Sequence, residues 1–187
     1  VLIGLDRRRF AWMSEAREPT EAERMAAVVA TAALIATQRV RTARMNESAA
    51  SQQDAVAAAL QGAGFTDVGR RTVTTLKDAP GPGEFCRSGM FGSRDADLIV
   101  GIWDSRTMPV ECKVSNSSVN SVKRLNNDAA VKARVWLEEF GKAQTVPAAI
   151  LSGVFGLNNL EAAQEAGLAL FWAHKLDSLI EWIETTR

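Results

Sequence analysis

Asp97, Glu111 and Lys113 are the residues whose types and spacing best suit chemistry. Glu111 and Lys113 stand two apart in the run 108–114, so in a strand their side chains leave the same face. Asp97 heads the preceding run, 95–103, and a hairpin turn at 104–107 brings it beside them. Two carboxylates next to one ammonium form the set that Mg2+-dependent phosphodiester hydrolysis requires. Hard carboxylate oxygens hold Mg2+ and leave places for water and phosphate oxygens. The metal offsets charge growing on phosphorus and acidifies a water. Lys113 would orient that water or neutralise the developing charge. Cys112 points to the opposite face and reads as core packing. The plain structural alternative is a surface ion pair between Glu111 and Lys113.

The elements around these residues follow from hydrophobic period and punctuation. Thr20 and Glu23 form a capping box at the start of an Ala-rich helix running to residue 44. Met25, Val28, Val29, Leu34 and Ile35 are its larger apolar members, and the helix reads as buried along most of one side. A second helix over 47–62 places Val56, Ala59 and Leu60 at helical spacing and stops at Gly62 and Gly64. One strand falls within 65–76, and the glycine- and proline-rich stretch 78–94 reads as a long loop. The hairpin 95–114 comes next, then a helix over 120–140 with Val131, Val135 and Leu137 as core candidates. A strand at 146–155, a short helix at 158–166 capped by Asn158 or Asn159, a strand at 168–173 and a helix at 176–184 complete the chain. The fold class is therefore α/β: a mixed sheet flanked by helices, with residues 1–46 as an N-terminal helical extension and 47–187 as the core.

Composition narrows the function classes. The chain has 187 residues, enough for one compact domain or a core with an extension, and is 47% hydrophobic and 24% charged. Twenty-two basic residues balance 22 acidic ones, which excludes a histone-like, purely electrostatic nucleic-acid binder. The charge is uneven, with 15 basic and 12 acidic residues from 39 to 142 but 2 and 5 from 143 to 187. The longest apolar stretch, 28–36, is too short to span a bilayer, so no membrane partner is expected. Two cysteines, Cys86 and Cys112, with one histidine, make neither a disulfide framework nor a closed zinc site. A reducing, cytoplasmic setting is expected. The chain opens on Val1 rather than Met, as a processed or truncated chain would.

Asp97…Glu111-Cys112-Lys113, on adjacent strands between helices, resembles the active-site motif of the PD-(D/E)XK nuclease superfamily. Residues 111–126 (ECKVSNSSVNSVKRLN), 81–86 (GPGEFC), 151–155 (LSGVF) and 171–174 (FWAH) are similar to XamI-type restriction endonucleases. The similarity runs over roughly 45–185. Where the superfamily often has Pro before the Asp, this chain has Ala96. The resemblance implies a restriction-endonuclease-like fold and a type II restriction enzyme acting on double-stranded DNA with Mg2+, usually as a homodimer. It also implies a cognate DNA methyltransferase for self-protection. Asp97 and Glu111 would bind the metal. The helix before the sheet often adds an acidic or amide group to such a site; Glu47, Gln53 and Asp54 are the candidates, with Gln53 favoured and Glu47 next. Asp95 shares a strand face with Asp97 and reads as a solvated strand-end residue; Glu84 reads as a loop carboxylate.

Ser115, Asn116, Ser117 and Asn120 follow the second hairpin strand and suit hydrogen bonds to phosphate oxygens or base edges. A turn with a helix cap would account for some of them equally. Lys123 and Arg124 open the next helix, where the dipole disfavours cations, so a docking phosphate gives them a purpose. Arg7, Arg8 and Arg9 read as ordinary surface charge. His174 has no nucleophile turn nearby and reads as structural. Rival readings are a structure-specific repair or recombination nuclease of the same fold, a non-catalytic DNA-binding module, and an α/β domain without a site. Fixed fragments from varied DNA separate the first from a restriction enzyme. The retained Asp, Glu and Lys argue against the module. The Ala-rich helix is a candidate dimer surface.

Overall fold

The computed structural model describes residues 10–115, 117 and 121–187. It falls into two compact units, Val1–Glu47 and Ser48–Arg187. A single helix, α1 (Glu21–Gly62), runs through the boundary where two helices were expected. The stretch 21–61 contains no Gly or Pro, so Asn46 alone has nothing with which to break it. The capping box is present: the Glu23 N–H donates to Thr20 Oγ1 at 3.3 Å, and the Thr20 N–H donates to Glu23 Oε2 at 2.8 Å.

In the first unit the expected burial of α1 is not found. Met25, Val28, Val29, Leu34 and Ile35 are all exposed. Within that unit the described residues before α1 include only one helical turn, Ala11–Ser14, which is too short to cover a helix side. No described helix is long and apolar enough to cross a membrane.

The end of α1 shows how local chemistry sets the second unit. The Phe65 N–H reaches the Leu60 carbonyl at 3.0 Å and the Gly64 N–H the Gln61 carbonyl at 2.9 Å. Gly64 takes φ 89°, which a glycine adopts without steric cost, and Phe65 and Leu60 join the same buried cluster. The sheet has seven strands: β1 (Thr66–Asp67), β2 (Thr72–Val73), β3 (Glu84–Phe91), β4 (Arg94–Gly101), β5 (Thr107–Ser115), β6 (Ala148–Gly153) and β7 (Ala169–Trp172). Their order is β1-β3-β4-β5-β6-β7, with β2 also on β3; β3, β4 and β5 are antiparallel neighbours and β5, β6 and β7 parallel ones.

The α/β expectation of a mixed sheet flanked by helices is met, and the hairpin β4–β5 lies where the sequence put it. The stretch 78–94 is not a continuous loop: it contains β3. A Cβ on Gly89 would lie 2.7 Å from Ile99 Cδ1 and 2.8 Å from the Arg71 carbonyl, so this glycine is there for close packing within a strand.

One sheet face packs Leu98, Val110, Cys112 and Ile150 against Val56, Ala57 and Leu60 of α1 and against α4 (Asp177–Glu184). The other face packs Ala149 and Leu151 against a π-helical stretch, Val122–Ala129, the helix α2 (Ala130–Phe140) that continues it, and α3 (Leu157–Glu165). The core stripe of this long helix is Leu125, Ala129, Ala133 and Trp136; Val131, expected inside, is exposed, and Val135 and Leu137 are half-buried. Neither Asn158 nor Asn159 caps α3, which starts from Gly156; Asn159 instead donates to Ser121 Oγ at 2.9 Å.

Candidate active site

The β4–β5 ladder runs from Gly101↔Thr107 to Leu98↔Val110 and stops. One step further in that register, Asp97 comes opposite Glu111. On the other edge of β4, β3 pairs through Arg87↔Leu98 and Gly89↔Ala96, but Ser88, the residue across from Asp97, turns to φ 50° and leaves the ladder. Holding a serine in that left-handed region costs about 1–2 kcal/mol. Asp97 is thus out of register pairing on both edges, and its carboxylate takes two donors.

Those donors are neutral. The Cys112 N–H donates to Asp97 Oδ2 at 2.7 Å, and the Gln53 Nε2 amide donates to Asp97 Oδ1 at 2.7 Å. Gln53 is delivered by its neighbour: Gln52 is buried and donates through Nε2 to the Ile150 carbonyl at 2.9 Å, fixing this turn of α1 against the sheet. Asp54, the next residue, pairs with Arg87 of β3. Glu47 is exposed, and no described hydrogen bond or ion pair joins it to the cluster.

Glu111, across from Asp97 in that register, is 1% exposed. Two ammonium groups meet it. Lys113 Nζ is 2.5 Å from Oε2 and 2.8 Å from Asp128 Oδ2. Lys132 Nζ is 2.9 Å from Oε1. Burial pushes the Glu111 carboxyl above its usual range; Lys113 and Lys132 pull it back, while Asp97 raises it further. Burial alone would lower both lysines, yet Glu111, with Asp128 at Lys113 and Asp95 at Lys132, holds them above the usual lysine range. Both therefore stay charged at neutral pH. The Cys112 thiol is pushed up by burial and by Asp97 and Glu111, so it stays protonated, a core group rather than a nucleophile.

The remaining sequence candidates separate. Ser115 is buried and its hydroxyl donates to the Ser117 carbonyl at 2.8 Å, closing the turn after β5. The Ser117 carbonyl also accepts from the Ser121 N–H at 3.1 Å. Lys123 is exposed and Arg124 half-buried on the π-helical stretch. Asn116, Asn120, Arg7, Arg8 and Arg9 lie outside the described residues. Asp95 is exposed and pairs with Lys132 at 3.2 Å. Glu84 accepts from the Gly81 N–H at 2.9 Å within its loop. His174 is exposed beside Trp172. Among the described residues no group of three or more His, Cys, Asp or Glu side chains gathers as a metal cluster.

The sequence reading missed Lys132 and Asp128. A charged pair four apart on a helix reads as a solvated face. The signal was their placement beside the buried stripe Leu125, Ala129 and Ala133, which turns both toward the sheet.

A mixed sheet with helices on both faces, carrying an acid–lysine cluster where two antiparallel strands part, has the α/β architecture of restriction-endonuclease-like domains. The model of the XamI restriction endonuclease family matches residues 1–172, and the chain belongs to that family. It is 47% identical over 143 residues to the type II restriction enzyme XamI of Xanthomonas campestris pv. amaranthicola, covering 76% of this chain and 52% of that one. The chain thus spans about half the length of this curated relative. The match starts at residue 1, so the N-terminal helix, left outside the resemblance drawn from sequence, is part of the family pattern. Among solved structures, protein VC1899 from Vibrio cholerae is similar with a TM-score of 0.42 and 18% identity, over 59% of this chain and 30% of that one.

Proposed function

We propose that this chain carries the Mg2+-dependent active site of a type II restriction endonuclease of the PD-(D/E)XK kind, hydrolysing phosphodiester bonds in double-stranded DNA. The observation that carries the reading is the convergence of Asp97 with Glu111 and Lys113 where the β4–β5 ladder ends, in a chain of this family. The residues fit a divalent cation on two counts. Glu111 Oε2 is a buried carboxylate oxygen met by the Lys113 ammonium at 2.5 Å, a hard acceptor of the type a divalent cation takes. With all groups ionised, Asp95, Asp97, Glu111 and Asp128 against Lys113 and Lys132 leave a net charge of −2, which a divalent cation cancels.

Asp97 and Glu111 would hold the cation. When bound, it supplies stabilisation of the charge growing on phosphorus and acidifies water. Gln53 and the Cys112 N–H keep the Asp97 carboxylate in one orientation. Lys113 orients the attacking water for in-line displacement and counters charge on the phosphate. Among the described residues, Ser117, Lys123 and Arg124 would face the DNA backbone. A homodimer places two sites on the two strands of a symmetric sequence, and a cognate methyltransferase protects the host's own copies. The test is cleavage of a long mixed-sequence duplex with Mg2+, comparing the chain with its Glu111→Ala variant. Discrete Mg2+-dependent fragments that vanish in the variant support the reading; equal cutting by both sinks it. Cuts confined to branched or damaged DNA would instead indicate a repair or recombination nuclease.

A further inference from the structure

Glu111 has a lysine on each carboxylate oxygen, and the two lysines are held differently. Lys132 Nζ lies 2.9 Å from Glu111 Oε1, 3.1 Å from the Asp95 carbonyl and 3.2 Å from Asp95 Oδ2. Three oxygens for three N–H bonds saturate an ammonium. One of them is a main-chain oxygen of β4, which cannot swing away, and the Lys132 side chain is only 14% exposed. Among the described residues Lys113 is held by side-chain oxygens alone: Glu111 Oε2 at 2.5 Å and Asp128 Oδ2 at 2.8 Å, and Asp128 is half exposed. A cation arriving at Oε2 would therefore displace Lys113 onto Asp128, while Lys132 would keep its grip on Oε1.

We infer that Lys132 is a positioning residue: it anchors Glu111 by Oε1 to the β4 backbone and so presents Oε2 to the divalent cation. Asp128 has the matching part of receiving Lys113. The inference rests on the reading of Asp97 and Glu111 as cation ligands. It separates two lysines that simple charge counting treats alike. If both merely competed with the cation for one carboxylate, losing either would tighten metal binding. If Lys132 is an anchor, losing it lets the carboxylate rotate, and binding weakens.

The experiment is calorimetric titration of Mn2+ into the full chain without DNA, for wild type, Lys132→Met, Lys113→Met and Glu111→Gln, each checked for folding by circular dichroism. Lys132→Met is expected to weaken Mn2+ binding by about 10- to 100-fold, the usual effect of losing a group that orients a ligand. Lys113→Met is expected to leave binding unchanged or tighter, and Lys132→Arg to stay within about threefold of wild type because the cation on Oε1 is kept. Cleavage by Lys132→Met should recover as Mg2+ is raised, whereas Lys113→Met should not recover. Unchanged or tighter Mn2+ binding in Lys132→Met would overturn the inference, since a residue that only packs α2 on the sheet moves stability and not affinity. Should Lys132→Met fail to fold, Lys132→Gln carries the same expectation, and wild-type affinity in it overturns the anchor equally. Mn2+ binding that is absent in wild type, or unaffected by Glu111→Gln, removes the ligand reading itself and the inference with it. Loss in Glu111→Gln alone removes only the inference.

Discussion

Asp97 is met on the α1 side by neutral groups, whereas Glu111 is met on the other side by ammonium ions from β5 and α2. On the first side α1 offers the Gln53 amide, and the Cys112 N–H completes the pair. On the second, Lys113 and Lys132 enclose a carboxylate that is almost wholly buried. The difference follows from burial. An ionised carboxylate removed from water needs compensating charge. Asp97, at the end of a ladder and out of register on both edges, is oriented among the described residues by two amide donors. A site with one compensated and one uncompensated carboxylate has a standing demand for positive charge on the Asp97 side. That asymmetry is what a cation-dependent phosphodiesterase can use, because the metal enters without having to strip a lysine from both ligands.

The largest expected effect falls on charge at the neutral wall. Asp97→Asn keeps the shape and one acceptor but removes the charge, and should lower Mg2+-dependent cleavage by about 10³-fold, measured by single-turnover kinetics. Gln53→Ala removes only the orienting amide, so a loss of about 10-fold is expected. Equal losses in the two would break the distinction between holding charge and holding orientation. The smallest effect concerns the ammonium wall and reads out in stability. Lys113 and Lys132 bind their protons more tightly folded than unfolded. Their contribution is therefore full below the ordinary lysine value and is lost as pH rises through the raised one. Above about pH 10 the unfolding midpoint of wild type should fall more steeply than that of Lys132→Met. The chain has no tyrosine, so no phenol titrates in that window. Parallel slopes would show that Lys132 gains nothing from Glu111.

Much of this arrangement could be read before folding. Period-two spacing placed Glu111 and Lys113 on one strand face and Cys112 on the other, and the Asp104–Arg106 turn signalled the hairpin that brings Asp97 near. Gln53 was preferred for the helix position, and it is the residue whose amide reaches Asp97. What escaped depended on contacts distant in sequence. β3 was hidden because Gly89 looks like a loop residue until Ile99 and the Arg71 carbonyl are seen pressing on it. The left-handed turn at Ser88, which takes the residue across from Asp97 out of the ladder, has no local sequence signal at all. Lys132 and Asp128 were invisible because a helical charge pair four apart has the same pattern whether it faces water or a buried carboxylate.

One helix shows the same lesson in burial. Val56 and Leu60 of α1 are fully buried, whereas Val28, Val29 and Leu34, of the same chemistry on the same helix, are exposed. Periodicity says which residues share a face; only the presence of a sheet says whether that face is covered.

The most direct test of the account is single-turnover cleavage of one long duplex, titrated with Mg2+, by wild type, Asp97→Asn and Glu111→Ala side by side. The account predicts Mg2+-dependent cutting by wild type and a loss on the order of 10³-fold in each variant. Wild-type rates in either variant would contradict it, because the carboxylate removed would then not be part of the chemistry.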